Sequence, residues 1–83
     1  MPVLLLLRSL TQAQRGLRIL QNNGIPASVA KAPAGAVDKG CAYGIRLPMK
    51  RADAALRVLE RAEISVIRVI RLDPDGTFTE VHI

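Results

Sequence analysis

The sequence predicts an α+β fold, with two helices lying on a small antiparallel sheet. Three observations carry that expectation. Short aliphatic runs alternate with two amphipathic stretches, Gly or Pro marks most junctions between them, and Asp73-Pro74-Asp75-Gly76 separates the last two apolar runs as a hairpin turn would.

Val3-Leu4-Leu5-Leu6-Leu7 is a continuous apolar run closed by Arg8 and Ser9. Its length fits a strand buried on both faces, hence a central one. Periodicity alone leaves a helix start open, and the capping residues that follow decide for a strand. Ser9 and Thr11 both offer a side-chain oxygen to free helix amides. Ser9-Leu10-Thr11-Gln12 and Thr11-Gln12-Ala13-Gln14 each match a capping box. Ala13, Leu17 and Leu20 then fall at helical spacing, with Arg15, Arg18 and Gln21 on the other side. Asn22-Asn23-Gly24 ends this helix, the glycine taking the left-handed position.

Ile25-Pro26 opens a second strand that runs to about Ala32, since a proline without an N–H suits a strand start or an edge. Pro33 to Lys39 reads as an exposed loop. Cys41 to Leu47 forms a third strand, with Tyr43, Ile45 and Leu47 on one face and Gly44 marking a bulge or a close backbone approach. Pro48 stops it. A second helix covers roughly Lys50 to Ala62, its apolar stripe made by Ala52, Ala55, Leu56 and Leu59. Ser65 to Leu72 is a fourth strand, and Thr77 to Ile83, rich in Thr, Val and Ile, pairs back on it as a hairpin.

The order is β-α-β-β-α-β plus one β, the split pattern of a ferredoxin-like sandwich. The expected strand order is 4-1-3-2, with the added C-terminal strand beside strand four. At 83 residues the chain reads as one domain: residues 1–72 form the ferredoxin-like core, and 73–83 the turn and added strand. With no Trp and one Phe, the core is aliphatic. A chain this short buries only a little more than about 60% of its unfolded surface. Val3 to Leu7, and Val66, Ile67, Val69 and Ile70, are apolar on both sheet faces, yet the helices cover one. The sequence therefore predicts a homodimer through the sheet face or its edge.

Composition narrows the function. No apolar run reaches the roughly 18 residues of a membrane span. Val3–Leu7 lacks the basic start and small-residue cleavage site of a signal peptide, so a cytoplasmic protein without a membrane partner is expected. A single cysteine forms no internal disulfide, in keeping with a reducing compartment. One Cys and one His do not make a closed zinc site within one chain. No Walker loop or dinucleotide fingerprint occurs, so neither metal nor cofactor is expected. The net charge of +5 is dispersed, without a block of five like charges, and favours an anionic partner or simply a basic soluble domain. Lys39-Gly40-Cys41-Ala42-Tyr43 looks like the start of an RNA-binding strand motif. Cys41 then stands where an aromatic belongs and Gly44 where an aliphatic belongs, and strand one has no aromatic to stack on a base. Nucleic acid is not an expected partner.

What stands out is Asp38-Lys39-Gly40-Cys41-Ala42-Tyr43-Gly44, which holds the only cysteine and the only tyrosine. Gly40 beside the thiol leaves room for another molecule to approach. In the expected topology, strand two ends at the sheet edge where helix one begins. Cys41 would then face the free amides near Ser9, Leu10 and Thr11. A free cysteine titrates near about 8.5, leaving about 3% thiolate at pH 7. A helix terminus worth ~0.3–1 kcal/mol raises that to about 5–14%. Lys39 would help and Asp38 would oppose. Such a thiol accepts a group from an activated donor more readily than it attacks an unactivated bond. His82, the only histidine, lies on the added strand away from this motif, and no catalytic base is evident. The alternative is that Cys41 is a small buried packing residue in a non-catalytic interaction or dimerisation module.

The chain also resembles the putative selenium/sulfur carrier protein-like family, a group of short bacterial domains. The resemblance rests on a strand ending in Arg8-Ser9, followed by Thr11 and Ala13. It continues through Gly24-Ile25-Pro26, Pro33, Gly40-Cys41 leading into a strand, and Ala62-Glu63-Ile64, and covers residues 1 to about 70. It implies a cysteine that carries sulfur or selenium as a persulfide or perselenide, supplied by a cysteine desulfurase or a selenocysteine lyase. By that analogy Cys41 is the acceptor and Gly40 gives access, while Ser9 and Thr11 help hold the anion. Glu63 departs from the pattern, standing where a helix-ending glycine is common, and the hairpin after Asp73 lies outside the shared part.

Overall fold

The computed structural model describes residues 1–33, 35–36 and 43–81. Their elements are β1 (Pro2–Leu6), α1 (Leu10–Asn22), β2 (Ser28–Lys31), β3 (Tyr43–Pro48), α2 (Ala52–Arg61), β4 (Arg68–Leu72) and β5 (Phe78–Glu80). One 3-10 turn, Met49–Arg51, leads into α2. The strands form one sheet in the order β2-β3-β1-β4-β5, each neighbouring pair antiparallel. Two helices and a five-stranded antiparallel sheet make a small α+β fold compatible with a ferredoxin-like one.

The leucine run explains the centre of the sheet. β1 pairs with β3 on one side and β4 on the other, so its side chains find partners on both faces. Val3, Leu5 and Leu7 point to the helices and pack with Ile45, Leu47 and Val69, under Ala13 and Leu20 of α1 and Ala55 and Leu59 of α2. Leu4 and Leu6 point the other way and pack with Ile70 and Ala36. Leu4 and Ile70 are completely buried and Leu6 is 1% exposed. These residues prompted the expectation of a second copy. Within one chain they pack with Ala36, which follows β2, and with Ala30, Ala32, Leu72 and Phe78.

The caps fix the helix ends. Ser9 alone caps α1: its Oγ accepts the Gln12 amide at 3.1 Å. Thr11, the other expected cap, lies two residues too late and sits exposed inside the helix. At the far end Gly24 has φ +74°, its amide donates to the Gln21 carbonyl at 3.0 Å, and the Ile25 amide donates to the Leu20 carbonyl at 2.9 Å. This is the Schellman arrangement. It makes Ile25 a buried contact of Leu20 rather than the start of a strand, so β2 begins only at Ser28. The same arrangement closes α2, with Glu63 at φ +60° donating to Glu60 at 3.0 Å and Ile64 to Leu59 at 2.9 Å.

Two glycines set packing distances. A Cβ on Gly16 would stand 2.9 Å from Ile45 Cδ1 and 3.2 Å from Leu59 Cδ2, so α1 crosses β3 and α2 on a bare backbone. The sequence reading passed over Gly16 because it broke no pattern. A Cβ on Gly44 would meet the Leu5 carbonyl oxygen at 2.5 Å, which bears out the close approach expected there.

β4 and β5 are shorter than expected. β4 starts at Arg68, not Ser65: Val66 lies outside the strand and Ile67 is 51% exposed, although its amide still donates to the Leu6 carbonyl at 2.9 Å. β5 spans Phe78–Glu80, with the Val81 amide donating to Val69 at 2.9 Å. The turn between them is as expected. Gly76 has φ +88° and donates to the Asp73 carbonyl at 3.1 Å. Tyr43 shares a strand face with Ile45 and Leu47 but is 40% exposed, because it ends the β2–β3 ladder opposite Lys31.

Candidate functional site

The acceptor thiol expected at Cys41 lies outside the described residues, together with Gly40, Lys39 and His82. The expected position of that thiol opposite α1, and the expected start of the third strand at Cys41, lie there too. The described residues on either side of that segment can be placed.

Its two ends are Ala36 and Tyr43. Register places the second of these. Gly44, next to Tyr43, pairs with Leu6 at the end of β1, and Leu6 pairs on its other side with Arg68 at the start of β4. Three residues after Leu6, Ser9 caps α1. The starts of α1, β3 and β4 therefore gather at one end of the sheet. The end of α2 joins them, since Glu63 and Ser65 line a hollow of about 230 Å³ with Arg8 and Gln12. Ser9 is half-buried and its hydroxyl is engaged by the Gln12 amide. Thr11 is exposed one residue into α1. The amides of Leu10 and Thr11 precede the first intrahelical bonds, and no acidic residue stands in this first turn. The macrodipole there is left uncompensated by the helix's own residues. Three of the exposed large hydrophobics, Leu10, Tyr43 and Ile67, also lie at this end.

Ala36 is placed by a different set of residues, which the sequence reading did not assemble. Its amide donates to the Pro33 carbonyl at 3.1 Å, closing a turn in which Gly35 has φ +84°. Its methyl packs on Leu4, Leu6 and Ile70. Its carbonyl accepts Arg68 Nη1 at 2.8 Å. Arg68 Nε in turn donates to the Glu80 carboxylate, and the Phe78 ring lies 5.5 Å from the guanidinium. In the sequence Arg68 looked like a charge interrupting an apolar strand. Only the pairing of β4 with β5 reveals the cluster.

The Asp73–Thr79 turn lies at the opposite end of β4. Arg71 Nε donates to Asp73 at 3.0 Å, and this bond, with the hydroxyls of Thr79 and Thr77, holds the Asp73 carboxyl below its ordinary 3.8. Asp75 is also held below 3.8, first by the Thr77 hydroxyl at 2.6 Å and then by the Thr77 amide at 3.0 Å. These bonds stabilise the hairpin and are remote from the end that gathers α1, β3 and β4.

No helix among the described residues is long and apolar enough to cross a membrane. No curated protein matches the chain, and no solved structure does. A family model described as Putative Se/S carrier protein-like matches residues 3–71. The match spans well over half of the chain, takes in the Gly40-Cys41 pair and both helices, and stops before the Asp73 turn and β5. By that match, the chain belongs to the Putative Se/S carrier protein-like family.

Proposed function

We propose that this protein accepts a sulfur or selenium atom on Cys41 and carries it as a persulfide or perselenide. The observation that carries this reading is the family match over residues 3–71, in a chain that has one cysteine. The step is a sulfane transfer. The Cys41 thiolate attacks the terminal sulfur of a donor persulfide, the new Cys41–sulfur bond forms as the donor's sulfur–sulfur bond breaks, and the donor leaves as a thiolate. No electrons are gained or lost overall, and the transferred sulfur keeps or sheds its proton to water. A modestly activated thiol suffices because the bond being broken is already weak.

In this reading Gly40 gives the donor access, while Lys39 and the first turn of α1, with Ser9 and Thr11, stabilise the anionic product. The Ser9 hydroxyl already caps the helix, so in this reading it contributes by holding the Leu10 and Thr11 amides in position. The donor is a protein of the cysteine desulfurase or selenocysteine lyase type, and Leu10, Tyr43 and Ile67 offer it apolar contact. The chain functions in the cytoplasm, on a ferredoxin-like scaffold. A homodimer belongs to the same proposal and would pair through a sheet edge, since Leu4, Leu6 and Ile70 are already covered. A monomeric mass in light scattering at tens of micromolar would remove that part.

To test the carrier itself, a cysteine desulfurase is supplied with sulfur-35 cysteine and the protein. The proposal expects label on the wild-type chain that dithiothreitol releases, and none on Cys41→Ser. Equal label on both would place the sulfur elsewhere and end the proposal.

A further inference from the structure

The Arg68 cluster joins two parts of the chain that the family match separates. Ala36 and Arg68 lie within residues 3–71, whereas Phe78 and Glu80 lie beyond them. Arg68 is the only side chain among the described residues seen to bond the Ala36 carbonyl. Its Nε and its ring contact go to β5. A guanidinium is a flat fork, so fixing one edge against Glu80 and one face against Phe78 aims the other edge.

We propose that Arg68 is a positioning residue for the thiol-bearing connection, and that the C-terminal hairpin sets it. Phe78 and Glu80 hold the guanidinium where it clamps Ala36 onto Leu4, Leu6 and Ile70. That clamp fixes one anchor of the chain leading to Cys41. Tyr43, paired with Lys31, is the other anchor. Cys41 follows Ala36 by five residues, a reach of at most ~18 Å. Releasing Ala36 moves the anchor back towards Lys31, so a longer length of chain separates the two fixed points. Fewer thiol positions are then excluded, and approach to the thiol changes. Why the position of Cys41 matters rests on the carrier reading, but the clamp does not.

The test uses the full chain and two readouts: hydrogen exchange at the Ala36 amide, and the rate at which iodoacetamide alkylates Cys41 at pH 7. Protection of the β1 and β3 amides reports whether the sheet is intact. Arg68→Ala is expected to speed Ala36 exchange by about tenfold and to change the alkylation rate by about threefold or more, with the sheet still protected. Glu80→Gln and Phe78→Leu should move both readouts in the same direction by less. Arg68→Lys, which has a point charge but no fork, should restore only part of the wild-type behaviour. The proposal is overturned if Arg68→Ala leaves either readout at its wild-type value, or if neither hairpin variant moves them. Should Arg68→Ala unfold the sheet, Glu80→Gln decides, because it changes the guanidinium's partner and leaves Arg68 in place. A wild-type chain that takes no sulfur from the desulfurase but shows these shifts would end the carrier reading and leave the clamp standing.

Discussion

The two faces of the sheet are closed by different means. On one face, Val3, Leu5, Leu7, Ile45 and Leu47 lie under two helices, each locked at its end by a Schellman turn. On the other, Leu4, Leu6 and Ile70 pack with Ala36, which one arginine holds in place, and with Ala30, Ala32, Leu72 and Phe78 beside it. The first is a core drawn mostly from helix and strand side chains. The second includes Ala36, a residue outside regular structure that belongs to the connection leading to Cys41. The difference teaches that the face without helices is where this protein can afford adjustment, and the segment expected to carry its chemistry leaves from there.

Substitutions of equal chemistry on the two faces sharpen the contrast most. Leu5→Ala removes a side chain between sheet and helices and should destabilise by about 3–5 kcal/mol. Leu4→Ala opens its cavity beneath a connection that can settle into it and should cost about 2–3 kcal/mol. Urea unfolding of the pair measures the gap, and equal losses would break the comparison.

Gly44→Ala comes next, at about 2–3 kcal/mol, because the added carbon meets a backbone oxygen that cannot turn aside. Gly16→Ala, on the helical face, meets the tips of Ile45 and Leu59, which can rotate, and should cost about 1–2 kcal/mol in the same unfolding assay.

Much of this contrast was legible in the sequence. The continuous leucine run announced a central strand buried on both sides, and Asn23-Gly24 and Asp75-Gly76 announced their turns, because local chemistry dictates each. Ile25 and Ser65 to Ile67 were misread as strand, because an apolar residue after a helix looks the same whether it extends a sheet or closes a cap. Gly16 gave no signal, since its role is a crossing of α1 over β3 and α2. Arg68, Phe78 and Glu80 gave none either: their meeting depends on the register of β4 against β5. Of the candidate site, Ser9 was legible as a cap, and Thr11 was misassigned as a second one. Gly40, Lys39 and Cys41 rest on the sequence and the family.

Smaller effects test the helix ends. Glu63 adopts φ +60°, a conformation that disfavours a side chain. Glu63→Gly should therefore stabilise by about 1 kcal/mol, read as a higher urea midpoint with an unchanged slope. The smallest effect is that of pH on the hairpin. Asp73 and Asp75 are both held below 3.8 when folded. Their contribution is present above that value and is lost as pH falls below it through the folded titrations. Exchange at the Thr77 amide should accelerate in that acid window before the β1 amides are affected.

The most direct measurement of the central claim is the intact mass of the protein after incubation with a cysteine desulfurase and cysteine, with wild type and Cys41→Ser side by side. The account predicts that the wild-type chain gains one sulfur atom, lost again on reduction, while the serine variant keeps its mass. A wild-type mass that does not change, or a gain shared by the variant, would contradict it.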